Sequence, residues 1–377
     1  MARILVLGAG MVGRAIAFDL SDAHAVTSVD RNSEALNTLS ANHDIATVTA
    51  DLSDTAAIAP LIDGFDLVVC AVPGFMGFDT LKAVIEAGKH VVDISFSPEN
   101  ALDLDALAKA KGVTALVDIG VAPGMDNIIL GHHDAAMTVT SFECLVGGLP
   151  IRRTWPFEYK APFSPVDVIE EYTRPARYVE NGHIVVKPAL SDPELLDFDG
   201  VGTLESFNTD GLRSLLFTMP HVPNMKEKTL RYPGHIRLVQ ALQASGFFSR
   251  EPLAIGDTAV APLDFTSKIL FDAWKLGPDE AERTVMRVTV SGTEDGAAKT
   301  YVYHLYDEFN PATGLSSMAR TTGFTCAAAA NLFLDGRFGE HGVFPPETVG
   351  RRAGNLDYVL DYLRVRNVVY RQEVRKG

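Results

Sequence analysis

The sequence predicts an α/β protein in which a parallel sheet carries an inserted domain of mixed architecture. Three observations predict this class. Residues 1 to about 120 alternate short Val- and Ile-rich runs with amphipathic segments, a glycine-rich turn directly follows the first run, and longer alternating strands begin after Pro123. The alternation of short apolar runs with amphipathic segments is typical of right-handed βαβ units whose sheet is covered on both faces.

The N-terminal segment contains the strands and helices that a parallel sheet of this kind requires. Its apolar runs are too short for helices and rich in β-branched residues, which predicts strands at Ile4–Leu7, Ala25–Val29, Ile45–Thr49, Leu67–Ala71, His90–Ile94 and Val113–Asp118. Segments with helical spacing of apolar residues separate these runs, which predicts helices at Gly13–Leu20, Ser33–Ser40, Thr55–Leu61, Phe78–Ala87 and Leu102–Ala110.

The segment after Pro123 has a different texture. Its alternating strands are separated by Pro- and Gly-rich loops, as in a mixed or antiparallel sheet, and are expected at Thr140–Val146, Val179–Lys187, Val285–Ser291 and Thr300–Leu305. A long helix pattern returns at about residues 317–335, and Gly336 is placed to end it. We therefore expect one domain made of residues 1–122 and 317–377, with residues 123–316 inserted as an α+β domain for substrate binding and dimerisation.

Charge and cysteine content exclude several function classes. The 377 residues include 33 Lys and Arg against 48 Asp and Glu, a net charge of −15, which disfavours nucleic acid and anionic membranes as partners. The three cysteines are far apart and form no CxxC pair, so neither disulfides nor a cysteine-rich zinc site is expected. The N-terminal residues lack the features of a signal peptide, and no apolar run is long enough to span a bilayer, which predicts a cytoplasmic protein.

Residues 8–13 form a G-x-G-x-x-G turn between the first strand and the first helix. Gly8 permits the tight turn, Gly10 lets the backbone approach a pyrophosphate, and Gly13 allows the helix to pack closely on the strand. Met11 and Val12 complete the turn. Because the turn has the strand, the helix and a suitably placed carboxylate around it, it predicts a Rossmann-type, doubly wound, dinucleotide-binding sheet.

Asp30, twenty residues after Gly10, favours NAD as the dinucleotide. A carboxylate there accepts hydrogen bonds from the ribose hydroxyls and repels a 2′-phosphate, although the adjacent Arg31 could instead bind that phosphate or cover the adenine. Ligands of such sheets lie at the carboxyl ends of the strands. The remaining predicted cofactor contacts follow the third and fourth strands and are Asp51, Leu52, Ala71, Val72 and Pro73.

Several longer segments resemble the lysine 6-dehydrogenases of the saccharopine dehydrogenase family. They are DISFSPEN (93–100), VAPGMDN (121–127), VGGLP (146–150), the Tyr159-Lys160 pair with FSPVDVIEEYTRPA (163–176), DGLRS (210–214) and LRYPGH (230–235). The resemblance implies a homodimer that uses NAD to oxidise the ε-amine of L-lysine, giving the semialdehyde, which cyclises, and ammonia. Two departures stand out: Phe163 occupies a position where these enzymes commonly have Trp, and Asp126 after the APG motif is more like the saccharopine branch.

Oxidation of a primary amine requires a base to remove a proton and a clamp for the distant amino-acid end. His235 is the first candidate base, because an imidazole titrates in the working range, and Lys160 is the alternative if burial lowers its pKa. Either residue could instead be structural.

The candidates for substrate binding come from the same motifs. Arg213 is the predicted carboxylate clamp, although it could instead pair with Asp210, and Asp126 could bind the substrate ammonium or cap a helix. Ser95 and Glu99 follow the fifth strand, where they could border the cofactor or form a turn. The resemblance adds Tyr159 and Phe163 to the substrate pocket. No metal site is predicted, because the adjacent His132 and His133 cannot share a helix face.

The sequence is also compatible with two other functions. Saccharopine dehydrogenase would act on a secondary amine with two more carboxylates, and the cations that could bind them are Arg152, Arg153, Arg174, Arg177 and Arg231. A protein that senses NAD without turnover is the alternative from another class.

Overall fold

The computed structural model describes residues 1–162, 165–277 and 280–376, and its N-terminal part forms the expected strand–helix alternation. The strands are β1 (Arg3–Leu7), β2 (Ala25–Asp30), β3 (Ala46–Thr49), β4 (Leu67–Cys70), β5 (Val91–Asp93) and β6 (Thr114–Leu116). The helices are α1 (Met11–Ser21), α2 (Ser33–Asn42), α3 (Ile58–Ile62), α4 (Gly74–Glu86) and α5 (Asp105–Lys111), with short 3₁₀ turns at Thr55–Ala57 and Ala101–Leu104.

The middle of the chain supplies a second set of elements. Its strands are β7 (Thr138–Pro150), β8 (Ala176–Glu180), β9 (His183–Lys187), β10 (Glu194–Phe198), β11 (Gly202–Asn208), β12 (Met225–Arg231), β13 (Leu253–Ile255), β14 (Thr258–Val260), β15 (Glu282–Glu294) and β16 (Ala297–Glu308). Its helices are α6 (Met125–Asp134), α7 (Pro165–Thr173), α8 (Leu215–Thr218), α9 (His235–Ala244) and α10 (Pro262–Trp274). The C-terminal elements are α11 (Ser317–Leu334), β17 (Gly342–Phe344), α12 (Pro346–Gly350), α13 (Asn355–Arg364) and β18 (Tyr370–Lys376).

The first sheet confirms the predicted doubly wound architecture. Its strand order is β17-β6-β5-β4-β1-β2-β3, and every pair in it is parallel. Alternate residues of β1 enter two separate apolar cores, with Ile4 and Val6 against α1 and α11 and Leu5 and Leu7 against α3, α4 and α5. The sheet is therefore covered on both faces.

The second sheet contains β10-β11-β12-β7-β15-β16-β18, and a β8–β9 hairpin pairs with β12. Where the pattern predicts one strand over 179–187, the structure has two, because Asn181 and Gly182 both adopt positive φ angles (51° and 79°). An Asn-Gly pair in this conformation is the favoured two-residue hairpin turn.

The C-terminal segment differs from the predicted domain division at its last strand. Helix α11 packs on α1 and β17 extends the first sheet, as expected of residues 317–377. Strand β18, however, pairs with β16 and so belongs to the second sheet. Strand β18 lies at the edge of the sheet and is mostly exposed, so most of its residues are charged or polar. Its sequence therefore lacks the alternation of apolar and polar residues that predicts a strand. No helix among the described residues is long and apolar enough to cross a membrane.

Candidate active site

A cleft of about 500 Å³ lies between the carboxyl ends of the first sheet and the second sheet. Strand ends β1, β2 and β4, the turn at 120–123, helices α7 and α11, and strand β12 contribute to its lining. The structure places all twelve residues predicted to contact the cofactor along this cleft: Gly8, Gly10, Met11, Val12, Gly13, Asp30, Arg31, Asp51, Leu52, Ala71, Val72 and Pro73.

The glycine turn has the close approaches that the dinucleotide motif requires. Gly8 has a φ of 109°, and a Cβ there would overlap the carbonyl oxygen of Ala71. A Cβ on Gly13 would overlap the carbonyl oxygen of Gly8, whereas Gly10 has no atom within 4 Å of the equivalent position. The space beside Gly10 opens into the cleft at the N-terminus of α1, which fits a pyrophosphate group.

The adenosine end of the cleft carries two carboxylates. Asp30 Oδ2 accepts a hydrogen bond from the Ala9 amide (2.7 Å) and its Oδ1 accepts one from the Asn32 amide (2.8 Å), which hold the carboxylate at the rim. Hydrogen bonds from the Ser53 amide and hydroxyl lower the pKa of Asp51. Arg31 also lines this end.

The opposite end of the cleft is lined by alternate residues of β12. Glu227, Thr229 and Arg231 lie two residues apart, so their side chains point to the same face of the sheet. All three are buried. Thr229 and Arg231 have hydrogen-bond partners in the protein, whereas Glu227 Oε2 has none among the described residues, so a polar ligand in the cleft could pair with that oxygen.

Arg231 is buried, with 2% of its surface exposed, and its neighbours fix the position of its guanidinium. Its Nη2 donates to Glu171 Oε2 (2.8 Å), its Nε donates to the Tyr172 hydroxyl (3.0 Å), and its guanidinium lies 4.3 Å from the centre of the Tyr159 ring. The Phe207 ring packs on it from 5.8 Å. These contacts preorganise the guanidinium at the wall of the cleft.

Helix α7 contacts the end of β12 through Glu171 and Tyr172, and its residues that line the cleft are acidic. Its lining residues are Asp167, Glu170 and Glu171, together with Arg174 just beyond its end. Arg174 pairs with Glu170 (3.4 Å) and lies 5.3 Å from the ring of Phe96.

His235, the predicted base, does not line the cleft. Its Nε2 is hydrogen-bonded to the Tyr172 hydroxyl and its Nδ1 to the Phe157 carbonyl, both at 2.9 Å. Burial, and secondly the nearby Arg231, lower the pKa of His235 to about 3. The prediction of a catalytic base at this position is wrong, because the imidazole is a neutral core residue behind Tyr172.

Lys160, the alternative base, is also structural. Its Nζ donates to the carbonyls of Ala273 (3.2 Å) and Lys275 (3.1 Å) at the end of α10, and it lies 3.7 Å from Glu280. Lysine near a helix C-terminus satisfies carbonyls that have no partner within the helix. The prediction fails because Lys160 faces away from the cleft.

Arg213 is not available as a carboxylate clamp. Its guanidinium pairs with buried Asp118 (3.0 Å), donates to the Ser97 carbonyl (2.7 Å) and stacks 4.7 Å from the centre of the Phe96 ring. Asp210, its expected partner, pairs with Arg177 instead. Arg213 therefore supports the Phe96 wall of the cleft from behind.

The other predicted substrate residues that the structure describes also lie outside the cleft lining. Ser95 donates to Asp93 (2.8 Å), Tyr159 packs behind Arg231, and Glu99 lines a separate small cavity of about 50 Å³. Asp126 is fully buried and accepts from the Gly124 amide at the start of α6 (3.0 Å), beside Glu227. Phe163 lies outside the described residues.

The sequence did contain a signal for the residues that were missed. Glu227 and Thr229 alternate with Arg231, which is one of the five arginines considered above, along a strand whose last two residues begin the LRYPGH motif. The loop after β5 alternates in the same way, with Ile94 and Phe96 toward the cleft and Ser95 away from it. Two-residue periodicity would have separated the lining from the supporting residues.

Comparison with known proteins identifies the family. The model described as "Saccharopine dehydrogenase NADP binding domain" matches residues 4–116, and "Saccharopine dehydrogenase C-terminal domain" matches residues 120–367. Together they span nearly the whole chain.

Individual relatives cover similar extents. Saccharopine dehydrogenase [NADP(+), L-glutamate-forming] of Pyricularia oryzae is 24% identical, over 91% of this chain and 93% of that protein. Carboxyaminopropylagmatine dehydrogenase of a Synechocystis species is 22% identical, over 92% of each chain. The structure of the apo saccharopine dehydrogenase (L-Glu forming) from Saccharomyces cerevisiae has a TM-score of 0.79, 20% identity and full coverage of both chains, which shows a shared fold. The chain belongs to the saccharopine dehydrogenase family.

Proposed function

We propose that this protein is an NAD-dependent dehydrogenase that oxidises the ε-amine of L-lysine. Membership of the family supports an amino-acid dehydrogenase acting on a CH–NH group. The observation that carries the proposal is the cleft itself, which joins the glycine cradle at one end to buried Arg231 and a group of carboxylates at the other.

The preference for NAD rests on Asp30 and Asp51. A 2′-phosphate at this end of the cleft would meet two carboxylates, while the ribose hydroxyls of NAD can donate hydrogen bonds to Asp30. Arg31 is the one cation among the described lining residues at this end. The matched family model and the Pyricularia relative carry NADP in their descriptions, so the choice of dinucleotide is the first point to test.

The preference for lysine rests on charge. Beyond the cofactor end, the described lining includes five carboxylates (Asp167, Glu170, Glu171, Asp210 and Glu227) and two arginines (Arg174 and Arg231). Lysine brings two cationic amino groups and one carboxylate, which suits an acidic cavity with a preorganised guanidinium. In this proposal Arg231 and Arg174 hold the α-carboxylate, and Glu227, which forms no ion pair among the described residues, receives an amine, since Glu170, Glu171 and Asp210 already pair with arginines.

Residues 71–73 and 120–123 would hold the nicotinamide end of the dinucleotide, which would supply a two-electron acceptor. The neutral ε-amine loses a hydride from its carbon, a C=N bond forms, and water then adds to release ammonia and the semialdehyde. The tasks of the protein are to orient the carbon, hold the distant carboxylate and accept the proton of the ammonium group.

Saccharopine is the second candidate substrate, and the Pyricularia and Saccharomyces relatives favour it. Its two additional carboxylates require additional cations. Of the five arginines considered from the sequence, Arg174 and Arg231 line the cleft, whereas Arg152, Arg153 and Arg177 do not. This distribution favours the substrate with fewer carboxylates.

A single assay separates the candidates. The purified protein is incubated with NAD or NADP and with L-lysine or saccharopine, and reduced nicotinamide is followed by absorbance. We expect the highest kcat/KM with NAD and lysine. Turnover of saccharopine alone would overturn the lysine assignment, and dinucleotide binding without oxidation of any amine would identify a sensor.

A further inference from the structure

Three ionisable side chains meet at the wall of the cleft, where β12, β7 and α6 come together. They are Asp126, Cys144 and Glu227, and their carboxylate oxygens and sulfur lie within 4.8 Å of one another. All three are buried, and Glu227 is the member that lines the cleft. None of them has a partner of opposite charge within this group, so the cluster is unlike the ion pairs around Arg231.

Two features of the fold bring these groups together: the register of the β12–β7 pair, and the absence of a side chain at Gly211. Glu227 lies directly opposite Cys144 in the parallel β12–β7 pair, so their side chains share one face of the sheet. Asp126 enters from the first turn of α6. Gly211 lies against the Glu227 carboxyl, and a Cβ at Gly211 would overlap that carboxyl group.

Each of the two carboxyl groups has one oxygen without a hydrogen-bond partner among the described residues, Asp126 Oδ2 and Glu227 Oε2. Two carboxylates this close in a buried setting cannot both be ionised without strong repulsion. Burial and a neighbouring carboxyl raise the pKa of both groups, so the pair titrates as a unit. Once it has lost one proton, it carries one negative charge, which matches one ammonium group.

We propose that Glu227 is the catalytic residue that accepts the proton of the substrate ammonium group, and that Asp126 is a positioning residue that tunes it. This proposal rests on the function proposed above. An N–H bond of the ammonium breaks, its proton forms an O–H bond on Glu227, and the nitrogen keeps the electron pair. The neutral amine can then lose the hydride, which carries two electrons to the dinucleotide.

The pH response of Glu227 depends on groups from each packed element. Burial first, and then the charges of Asp126, Glu171 and Asp210, raise the pKa of Glu227, while Arg213 opposes them. Burial also raises the pKa of Asp126 to about 7. The other titratable groups around the pair are Cys144, Tyr178, Glu347 and Tyr370.

The test compares Glu227→Gln with Glu143→Gln, a matched control in which the carboxylate pairs with Lys226 away from the cleft. Dinucleotide binding is first measured to show that each variant is folded. We expect E227Q to lower kcat for lysine by about 100-fold or more. Its residual rate should rise about tenfold per pH unit toward the pKa of the free amine, because only amine that is already neutral reacts. E143Q should keep the wild-type profile.

Asp126→Asn gives the second measurement. Removing the neighbouring carboxylate should shift the acidic limb of the kcat profile to lower pH while most of kcat is kept. Removal of metal with EDTA should leave the wild-type rate unchanged, and a loss of activity would instead assign the three groups to a metal ion. An active wild type whose profile is unchanged in E227Q would overturn this inference alone. A wild type that oxidises no amine would overturn the proposed function as well.

Discussion

At the scale of single residues, Arg231 is the group on which substrate affinity is expected to depend most. It is buried, held by Glu171 and Tyr172, and lines the cleft. Arg231→Lys keeps the charge but loses the planar guanidinium that Tyr159, Glu171 and Tyr172 hold at the wall of the cleft. We expect KM for lysine to rise about tenfold or more, with a smaller change in kcat.

Steady-state kinetics at saturating NAD measures this change. Arg153→Lys is the control, because Arg153 pairs with Glu158 and does not line the cleft. An R231K variant with the wild-type KM would show that the carboxylate binds elsewhere.

Asp30 carries the predicted choice of dinucleotide. Asp30→Ala removes the carboxylate that a 2′-phosphate would meet and leaves Arg31 at the same rim. We expect the ratio of kcat/KM for NADP to that for NAD to increase about tenfold or more. Exposed Asp22 supplies the control variant Asp22→Ala. A wild type that already prefers NADP, or a ratio that does not move, would refute the assignment.

The residues proposed to bind the cofactor could be grouped from the sequence because they belong to one local motif. A strand, a glycine turn and a carboxylate at fixed spacing determine their positions, and all twelve line the cleft. The residues proposed to bind the substrate come from β12, α7 and the turn at 209–211, which meet only through tertiary packing. Motif resemblance pointed to Arg213, which stacks on the lining residue Phe96, and to His235, which is hydrogen-bonded to Tyr172 behind Arg231.

At the scale of elements, two glycines of one turn are expected to respond differently to alanine. Gly13→Ala places a Cβ against the Gly8 carbonyl and should lower both the free energy of unfolding of the apoprotein and dinucleotide affinity. Gly10→Ala meets no protein atom within 4 Å, so it should weaken dinucleotide binding while leaving apoprotein stability nearly unchanged. Thermal unfolding and dinucleotide titration measure the two effects. Equal destabilisation by both variants would be inconsistent with this geometry.

Helix α10 is expected to lose stability when its C-terminal cap is removed. In Lys160→Met, the carbonyls of Ala273 and Lys275 lose the donor that Lys160 Nζ provides. The free energy of unfolding should fall by about 1 kcal/mol, while kcat stays at the wild-type value. Urea denaturation and turnover of the same preparation measure both. A large fall in kcat at unchanged stability would restore Lys160 as a candidate base.

The elements differ in how far sequence patterns predict them. Strands β1 and β4 are continuous apolar runs because both of their faces are buried, and their positions were predicted closely. The β8–β9 hairpin required the turn preference of Asn181-Gly182 in addition to alternation. Strand β18 could not be predicted, since its pairing with β16 is a long-range contact that leaves its side chains largely exposed.

At the scale of the whole molecule, buried carboxyl groups are expected to make stability fall as the pH rises. Burial raises the pKa of Asp93 from 3.8 to about 7 and that of Glu282 from 4.5 to about 7. Burial also raises the pKa of Asp307 to about 6. The folded protein binds these protons more tightly than the unfolded chain, so their stabilisation is complete below the ordinary pKa values and is lost as the pH rises through about 7.

Urea unfolding across this interval measures the effect. The free energy of unfolding should decrease from about pH 6.5 to about pH 8, above the interval in which His133 and His235, whose pKa values burial lowers, contribute the opposite slope. Glu282→Gln should reduce the slope, while Glu143→Gln on the more exposed side of β7 should not. A flat or rising profile in the wild type would contradict the prediction.

The path of the chain limits how the cleft can open. It crosses from the first sheet to the second near residue 123, returns with α11, and crosses again to form β18. One apolar core also contains Val6 of β1, Phe142 of β7 and Val288 of β15. The chain connects the two sheets at three places, and the two sheets share this core. Rotation of one sheet about any one connection would therefore strain the other two. We therefore expect ligands to enter and leave by displacement of the lining, while the angle between the two sheets stays nearly constant.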